Sequence, residues 1–527
     1  MSDTIYLDYA ASTPVDPAVA EAMAGFLTRA GTFANPSSAA HAPGRAAAAA
    51  VEHARAQVAA LIGAQPAEII FTSGATESDN LAVLGVARAN ADRGRHIVTS
   101  RIEHRAVLDA CRQLQREGFS VTYLTPDANG RILVPAVAAA LRRETTLVSI
   151  MHVNNEIGVL EDIAAIGAIC RARGVTFHSD AAQSAGRVPI NVATLAVDLL
   201  SLTAHKIYGP KGIGALYVRP AARGALQALS FGGGQEHALR PGTLPTHQIA
   251  GFGVAAALAL RDLNVESRRA SELAARLWRG LEKGAGAELN GAAAERIPHI
   301  VNVSFAGVEG ESLLAGLHSL AVSTGSACSS ASGEPSYVLK ALGRSTARAE
   351  SSLRFSFGRF TTEAEIDAAV SQVRRQLEKL RRISPAGSGE DTGAPSASAT
   401  FPPVDADPLS PATRELFETL PGAGRIADSE GRVLRGEAGG ATAESWVRFH
   451  LLVEGDSVKA ARFQAVGCPH TLAACAWIVA RLPGRRRGAT QPGTPQEWAE
   501  ALSAPVEKLG RLLTVEDALR AAFQHWT

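Results

Sequence analysis

Residues 68–117 read EIIFTSGATESDNLAVLGVARANADRGRHIVTSRIEHRAVLDACRQLQRE. Glu68–Thr72 is a short β-rich apolar run. A helical pattern follows from about Glu77 to Asn90, then another short run at His96–Thr99 and a second helical pattern from His104 to Glu117. Short β-branched runs between longer stretches of helical periodicity predict strand, helix, strand, helix. That cadence predicts an α/β unit on a largely parallel sheet. It continues outward through Val121–Leu124, Leu147–His152, Val175–His178, Leu199–Leu202 and Ala215–Val218. In such sheets ligands gather at the carboxyl ends of the strands, so the chemistry is expected in the loops that follow these runs.

Farther along, Thr362 and Glu365 form a capping-box pattern ahead of Ile366, Val370, Val373, Leu377 and Leu380. This predicts a domain-closing helix stopped by Pro385. Residues 386–407, AGSGEDTGAPSASATFPPVDAD, draw 16 of 22 residues from Gly, Ala, Ser, Thr and Pro, and only Phe401 and Val404 are substantial apolar groups. Such a stretch buries too little to offset its ordering entropy and reads as a flexible linker. Residues 408–527 have their own pattern: Trp446–Val453 and Ala460–Val466 alternate like paired strands around the turn Glu454–Ser457, and a helix follows from Pro469 to Leu482. The 527 residues exceed one compact core, at ~100–200 residues per domain.

Charge and composition exclude several partners. The 52 Lys+Arg balance 51 Asp+Glu for a net charge of +1, which leaves no overall basic field to attract nucleic acid or anionic lipid. The N-terminus lacks a secretory signal pattern, and no apolar stretch approaches the ~18–20 residues of a membrane span. Five cysteines without a paired framework point to free thiols in the cytoplasm.

The basic residues are lopsided, 7 Lys against 45 Arg, and the first lysine in the chain is Lys206. It lies in Ala204-His205-Lys206-Ile207-Tyr208-Gly209-Pro210-Lys211-Gly212, directly after Leu199–Leu202. It is either a turn lysine or an amine that forms a Schiff base with a carbonyl cofactor, which Arg cannot do. Asp180, in Ser179–Gln183, either caps the next helix or pairs with a pyridinium nitrogen. Ser73–Ser78 is an ordinary helix start or a phosphate cradle of free backbone N–H groups. Cys328, in the small polar run Ser323–Gly333, is a small hydrophobe or an exposed reactive thiol.

These four features, in this order, resemble the cysteine desulfurases of the IscS/NifS type, within the class V aminotransferase-like group that uses pyridoxal phosphate. Further matching stretches are Tyr6–Thr13, Glu103–Val107, Asn154–Gly158, Arg240–Thr243 and Leu353–Ser356. The resemblance spans about residues 1–385 and implies the fold type I architecture of pyridoxal-phosphate enzymes. A large, mostly parallel sheet domain would occupy about 16–260, and a smaller α/β domain about 1–15 and 261–385. It implies that Lys206 holds the cofactor, Asp180 pairs with its ring nitrogen, and Gln183 hydrogen-bonds its phenolic oxygen. His104 would stack on the ring and assist proton transfer. Ala75, Thr76, Thr203 and His205 would cradle the phosphate, and Thr243 would reach in from the partner of a homodimer. Asn155, also counted with the cofactor, and Arg354 would orient L-cysteine. Cys328 would take its sulfur as a persulfide, leaving L-alanine, for iron–sulfur cluster assembly or other sulfur transfer. A selenocysteine lyase is the nearest alternative activity.

In the tail, Phe463–Leu472 resembles the second-cysteine region of IscU/NifU-type iron–sulfur scaffolds, whose α+β fold is shared with SufE-type sulfur acceptors. Cys468 precedes a helix with Pro469 at its first position, a setting that favours a thiolate, with Cys475 and His470 as nearby helpers. Where those scaffolds place their first ligand Cys this chain reads Gly436–Gly440, and the region of their His-Cys pair reads Leu512-Leu513. Two thiols do not supply the shell of an ordinary cluster, so no metal site is assigned. Cys468 is expected as a sulfur acceptor in the protein's own C-terminal domain, with a separate acceptor protein or an assembly scaffold as the other readings. Cys111 and Cys170 read as core, and Arg485–Arg487 as a solvated loop.

Overall fold

The central sheet is built from β1 (Ile69–Thr72), β2 (His96–Ser100), β3 (Ser120–Leu124), β4 (Thr145–Ser149), β5 (Thr176–Asp180), β6 (Leu199–Thr203) and β7 (Gly214–Val218). The computed structural model describes residues 4–283, 286–324, 335–383, 409–440, 445–487, 491–524 and 526. Cys328, Pro385 and the expected linker 386–407 lie outside them. The strand order is β1-β7-β6-β5-β4-β2-β3, parallel throughout except for β7, which runs antiparallel between β1 and β6.

Alternate residues of a strand point to opposite faces, and here both faces are apolar. Ile70, Ile97, Leu147, Leu199 and Leu216 pack on one side under α1 (Ala75–Ala89) and α2 (Arg105–Arg116). Phe71, Val98, Val148, Phe177 and Leu200 pack on the other. Covering both faces explains why these strands read as continuous apolar runs. The run expected to be a strand through His152 leaves the ladder after Ser149, although Ile150 and His152 still donate to the carbonyls of His178 and Asp180.

The long helix α3 (Thr246–Glu282) joins two cores, with Ile249 and Phe252 in the sheet core and Leu273, Leu277 and Leu281 in a second. That second core carries an antiparallel sheet of β8 (Ala287–Leu289), β9 (Ile300–Phe305) and β10 (Ser352–Ser356), with α4 (Gly310–Ala315) and α5 (Glu363–Ile383). The expected capping box starts α5: the Thr362 N–H donates to Glu365 Oε2 at 2.7 Å and the Glu365 N–H to Thr362 Oγ1 at 3.2 Å. Ile5–Tyr6 pairs with Leu320–Ala321, and Asp8 bridges to Ser356, so the first residues belong to this smaller unit.

The tail forms α6 (Pro411–Thr419), an antiparallel sheet of β11 (Arg432–Gly439), β12 (Trp446–Glu454) and β13 (Ser457–Val466), then α7 (Pro469–Val479), α8 (Pro495–Leu502) and α9 (Leu509–Gln524). Helix α9 crosses β11 so closely that a Cβ on Gly436 would collide with the backbone of Ala522. One apolar core runs through the smaller unit and the tail, including Leu377 and Leu380 of α5 and Phe417, Phe449 and Phe463 of the tail. Lys379 Nζ donates to the last carbonyls of α6, Phe417 at 3.0 Å and Glu418 at 2.7 Å, where a cation is favoured.

Candidate active site

The loops after β1, β2, β4, β5 and β6 open on one cavity of about 470 Å³. Strand β5 delivers Asp180 to its floor, 5% exposed, where Oδ1 accepts the Ala182 N–H at 2.8 Å. Burial pushes this carboxyl above its ordinary pKa, while His104, the Ala182 N–H and Lys206 pull it back. Gln183, one turn on, donates to the Ala10 carbonyl at 2.9 Å and accepts from Arg187 Nη1 at 2.9 Å. Behind Asp180, the His178 ring bridges Ser149 and Ser201 at 2.9 Å each, with burial holding its pKa down at about 3. It is therefore a neutral strut.

Strand β6 delivers Thr203, then His205 and Lys206 in a single 3₁₀ turn. Lys206 Nζ donates to the Ala10 carbonyl. Burial above all, then the positive fields of Arg354 and Arg187, lowers its pKa to about 7 against the opposing pull of Asp180 and Asp8. Near neutral pH a large share of this amine is unprotonated and nucleophilic, the state that attack on a carbonyl needs. Burial, then Lys206 and Lys211, holds His205 at about 4.

Gly74, Ala75 and Thr76 form the mouth of α1, with Gly74 at φ +152°. A Cβ on the facing Gly214 would lie 2.6 Å from Gly74 Cα; two glycines let β7 and this turn close together. The exposed backbone N–H groups of the first turn suit an anion. Glu77 beside them is paired with Arg240 at 3.1 Å. Opposite, His104 caps α2, its Nδ1 accepting the Ala106 N–H at 3.2 Å. Arg354, 1% exposed, donates to the Asn155 carbonyl at 2.9 Å and pairs with Asp8 at 2.7 Å. Asn155 Oδ1 is buried without a hydrogen-bond partner in the protein.

Ala75, Thr76, His104, Asn155, Asp180, Gln183, Thr203, His205, Lys206 and Arg354 thus line one cavity. The amine, the buried carboxyl, the anion-binding turn and the unpartnered amide oxygen fit a pyridoxal phosphate, whose aldehyde, ring nitrogen and phosphate need these groups. Thr243 is exposed just before α3 and does not line this chain's cavity. Cys328 lies outside the described residues, but both flanks of its segment reach the cavity. Ser323 exchanges backbone hydrogen bonds with Arg354, Ser336 donates to Glu156, and Tyr337 Oη donates to the Glu103 carbonyl at 2.7 Å. Cys468 is elsewhere, in the tail.

The cavity also includes Ala10, Glu156, Tyr337 and Lys211, to which sequence reasoning gave no role. Ala10 lies in the recognised Tyr6–Thr13 stretch, which could have pointed to it; Tyr337 had no such signal.

A family model described as Aminotransferase class-V matches residues 5–369. The chain is 58% identical over 381 residues to the cysteine desulfurase IscS of Vibrio vulnificus (strain CMCP6), and 58% identical over the same length to that of Serratia proteamaculans (strain 568). Each match spans 72% of this chain and 94% of the relative. Among solved structures, a NifS-like protein superposes with TM-score 0.67 at 33% identity, covering 72% of this chain and all of that one. DndA from Streptomyces lividans superposes with TM-score 0.57 at 41% identity, over 67% of this chain and 99% of its own. The chain belongs to the class-V aminotransferase family and, within it, to the IscS-type cysteine desulfurases, enzymes that depend on pyridoxal phosphate.

Proposed function

We propose that this desulfurase carries the sulfur of L-cysteine as a persulfide on Cys328. It then hands that sulfur to acceptors for iron–sulfur cluster assembly or related transfer in the cytoplasm, the tail thiol Cys468 being one of them. The observation that carries this reading is the bracketing of the Cys328 segment by residues tied to the cavity wall, Ser323 on one side and Ser336 and Tyr337 on the other.

Pyridoxal phosphate, when bound, supplies an electrophilic carbonyl carbon and an electron-withdrawing ring. Asp180 would keep a proton on its ring nitrogen, and Lys206 would hold its carbonyl end. Arg354 grips the substrate carboxylate, for which its buried guanidinium is already oriented by Asp8 and the Asn155 carbonyl. With its lowered pKa, Lys206 Nζ removes the Cα proton and returns one, and His104 moves protons on the other side. Cys328 attacks the substrate sulfur: the C–S bond breaks, an S–S bond forms, and the carbon skeleton leaves as alanine. Atoms balance as L-cysteine plus Cys328–SH giving L-alanine plus Cys328–S–SH; the carbon is reduced and the sulfur pair oxidised. Thr243 completes the partner's site in a homodimer.

The tail reads as an acceptor rather than a cluster scaffold. No group of three or more potential ligands that could hold a metal ion occurs among the described residues, and β11 meets α9 at a glycine with no room for a side chain. Replacing Cys328 with Ser should abolish multiple-turnover alanine formation from L-cysteine, while Cys468→Ser should leave alanine formation intact and remove only sulfur found on the tail. Unchanged turnover in Cys328→Ser would refute the reading.

A further inference from the structure

Cys468 caps α7 and has no exposed surface, which conflicts with the accessibility an acceptor thiol needs. The catalytic part of the same chain packs against the turn and helix that carry it. Ser312 Oγ, from α4, donates to the carbonyl of Gly467 at 2.6 Å, holding the turn immediately before the cysteine. Glu311, beside it, accepts from Lys508 Nζ at 2.8 and 3.0 Å and pairs with Arg511 at 3.4 Å. The Arg511 guanidinium is in hydrogen-bonding reach of Cys468. Burial acts to lower its pKa, but Cys468, Glu309 and Glu311 together raise it above the ordinary arginine value. One acidic side chain of α4 thus clamps the two cations at the base of α9, and one of those cations also holds the thiol.

The closed arrangement leaves a polar group unsatisfied. His470, two residues beyond Cys468, is 2% exposed, and neither ring nitrogen has a hydrogen-bond partner in the protein. Glu311, Lys508 and Arg511 are the charged groups in its field, and burial keeps the ring neutral with a pKa of about 4. A buried imidazole without partners forfeits the solvation of its nitrogens, a cost that the docked arrangement carries.

We infer that the docked tail is a closed state of the sulfur acceptor, in which α4 shuts Cys468 away and the Glu311–Lys508–Arg511 clamp sets how often it opens. The purpose of the device rests on the reading of Cys468 as an acceptor; the closure itself does not. It keeps the tail thiol from reacting with solution thiols and oxidants until the tail lifts from the smaller unit.

The test is alkylation of the full-length holoprotein with iodoacetamide, followed cysteine by cysteine by peptide mass spectrometry. Cys111, Cys170 and Cys475, all buried, serve as internal reporters of general unfolding. Cys468 should label slowly in the native protein. Glu311→Gln should raise its rate about fivefold or more, the scale of losing a charge paired twice, with the other three thiols unchanged and alanine formation unaffected. Raising salt should act in the same direction on the native protein, because the partly exposed Glu311 carboxylate leaves these ion pairs open to screening. Native Cys468 labelling as fast as an unfolded thiol overturns the inference, and so does a rate indifferent to both Glu311→Gln and salt. If Glu311→Gln opens the site and turnover with L-cysteine still puts no sulfur on Cys468, the closure stands and the acceptor reading fails.

Discussion

In the proposed function Lys206 combines two properties that only an amine provides: it would form a covalent link to a carbonyl, and its pKa of about 7 lets it exchange a proton at neutral pH. Lys206→Arg retains the charge and loses both, so alanine formation should fall by at least ~10³-fold, with the folded state and melting temperature nearly unchanged. The lowered pKa also sets how the protein takes up its cofactor. The free amine is the reacting form, so the rate at which cofactor-stripped protein regains pyridoxal phosphate should rise about tenfold per pH unit below 7 and level off above it. Stopped-flow absorbance checks this; a rate still climbing steeply toward pH 10 would mean the burial of Lys206 does not act on its proton. The scarcity of lysine made this residue conspicuous in the sequence. Its environment was not legible there, because Arg354, Arg187 and Asp8 come from distant stretches that only folding brings together.

At the scale of elements, the two loops that carry His104 and Asn155 are held together by Glu103. Its Oε1 accepts from Ser100 Oγ at 2.6 Å and from the Met151 N–H at 3.0 Å. Burial above all, with Asp180 and Glu161 adding to it, raises this carboxyl from 4.5 to about 8 against those two hydrogen bonds. The sign follows directly. Between pH 4.5 and 8 the unfolded chain has released this proton and the folded chain keeps it, so stability falls as pH rises through that window. Glu103→Gln keeps the accepting oxygen and removes the titration. Its melting temperature relative to the native protein should therefore climb from pH 5 to 8 and then stay level; a constant offset would refute the assignment. In the tail, Gly436→Ala should destabilise the β11–α9 contact by about 1–3 kcal/mol, read as earlier thermal unfolding. Strands were the most legible elements, since both faces of the central sheet are covered and each strand reads as a short apolar run. Helix α1 begins at Ala75 rather than the expected Glu77 because its first turn is small and polar, leaving no apolar period to mark it.

At the scale of the molecule, the catalytic part and the tail are separate in sequence pattern and joined in structure by one apolar core and by the Ser312, Glu311 and Lys379 contacts. The sequence pattern separated the two parts but said nothing of their docking. The faces of α5 and β13 that meet carry the same apolar spacing as any buried face, and a partner cannot be read from spacing alone. The assembled chain places an amine, a buried carboxyl and a buried arginine in one cavity, with Ser323 and Tyr337, on either side of the Cys328 segment, bonded to its wall, and a second thiol buried in the tail. The central claim is that sulfur leaves cysteine onto Cys328. One turnover of anaerobic holoprotein with stoichiometric L-cysteine, quenched and mapped by peptide mass spectrometry, tests it most directly. The expected result is one alanine per site and one added sulfur atom on the Cys328 peptide; alanine with no added sulfur on that peptide would contradict it.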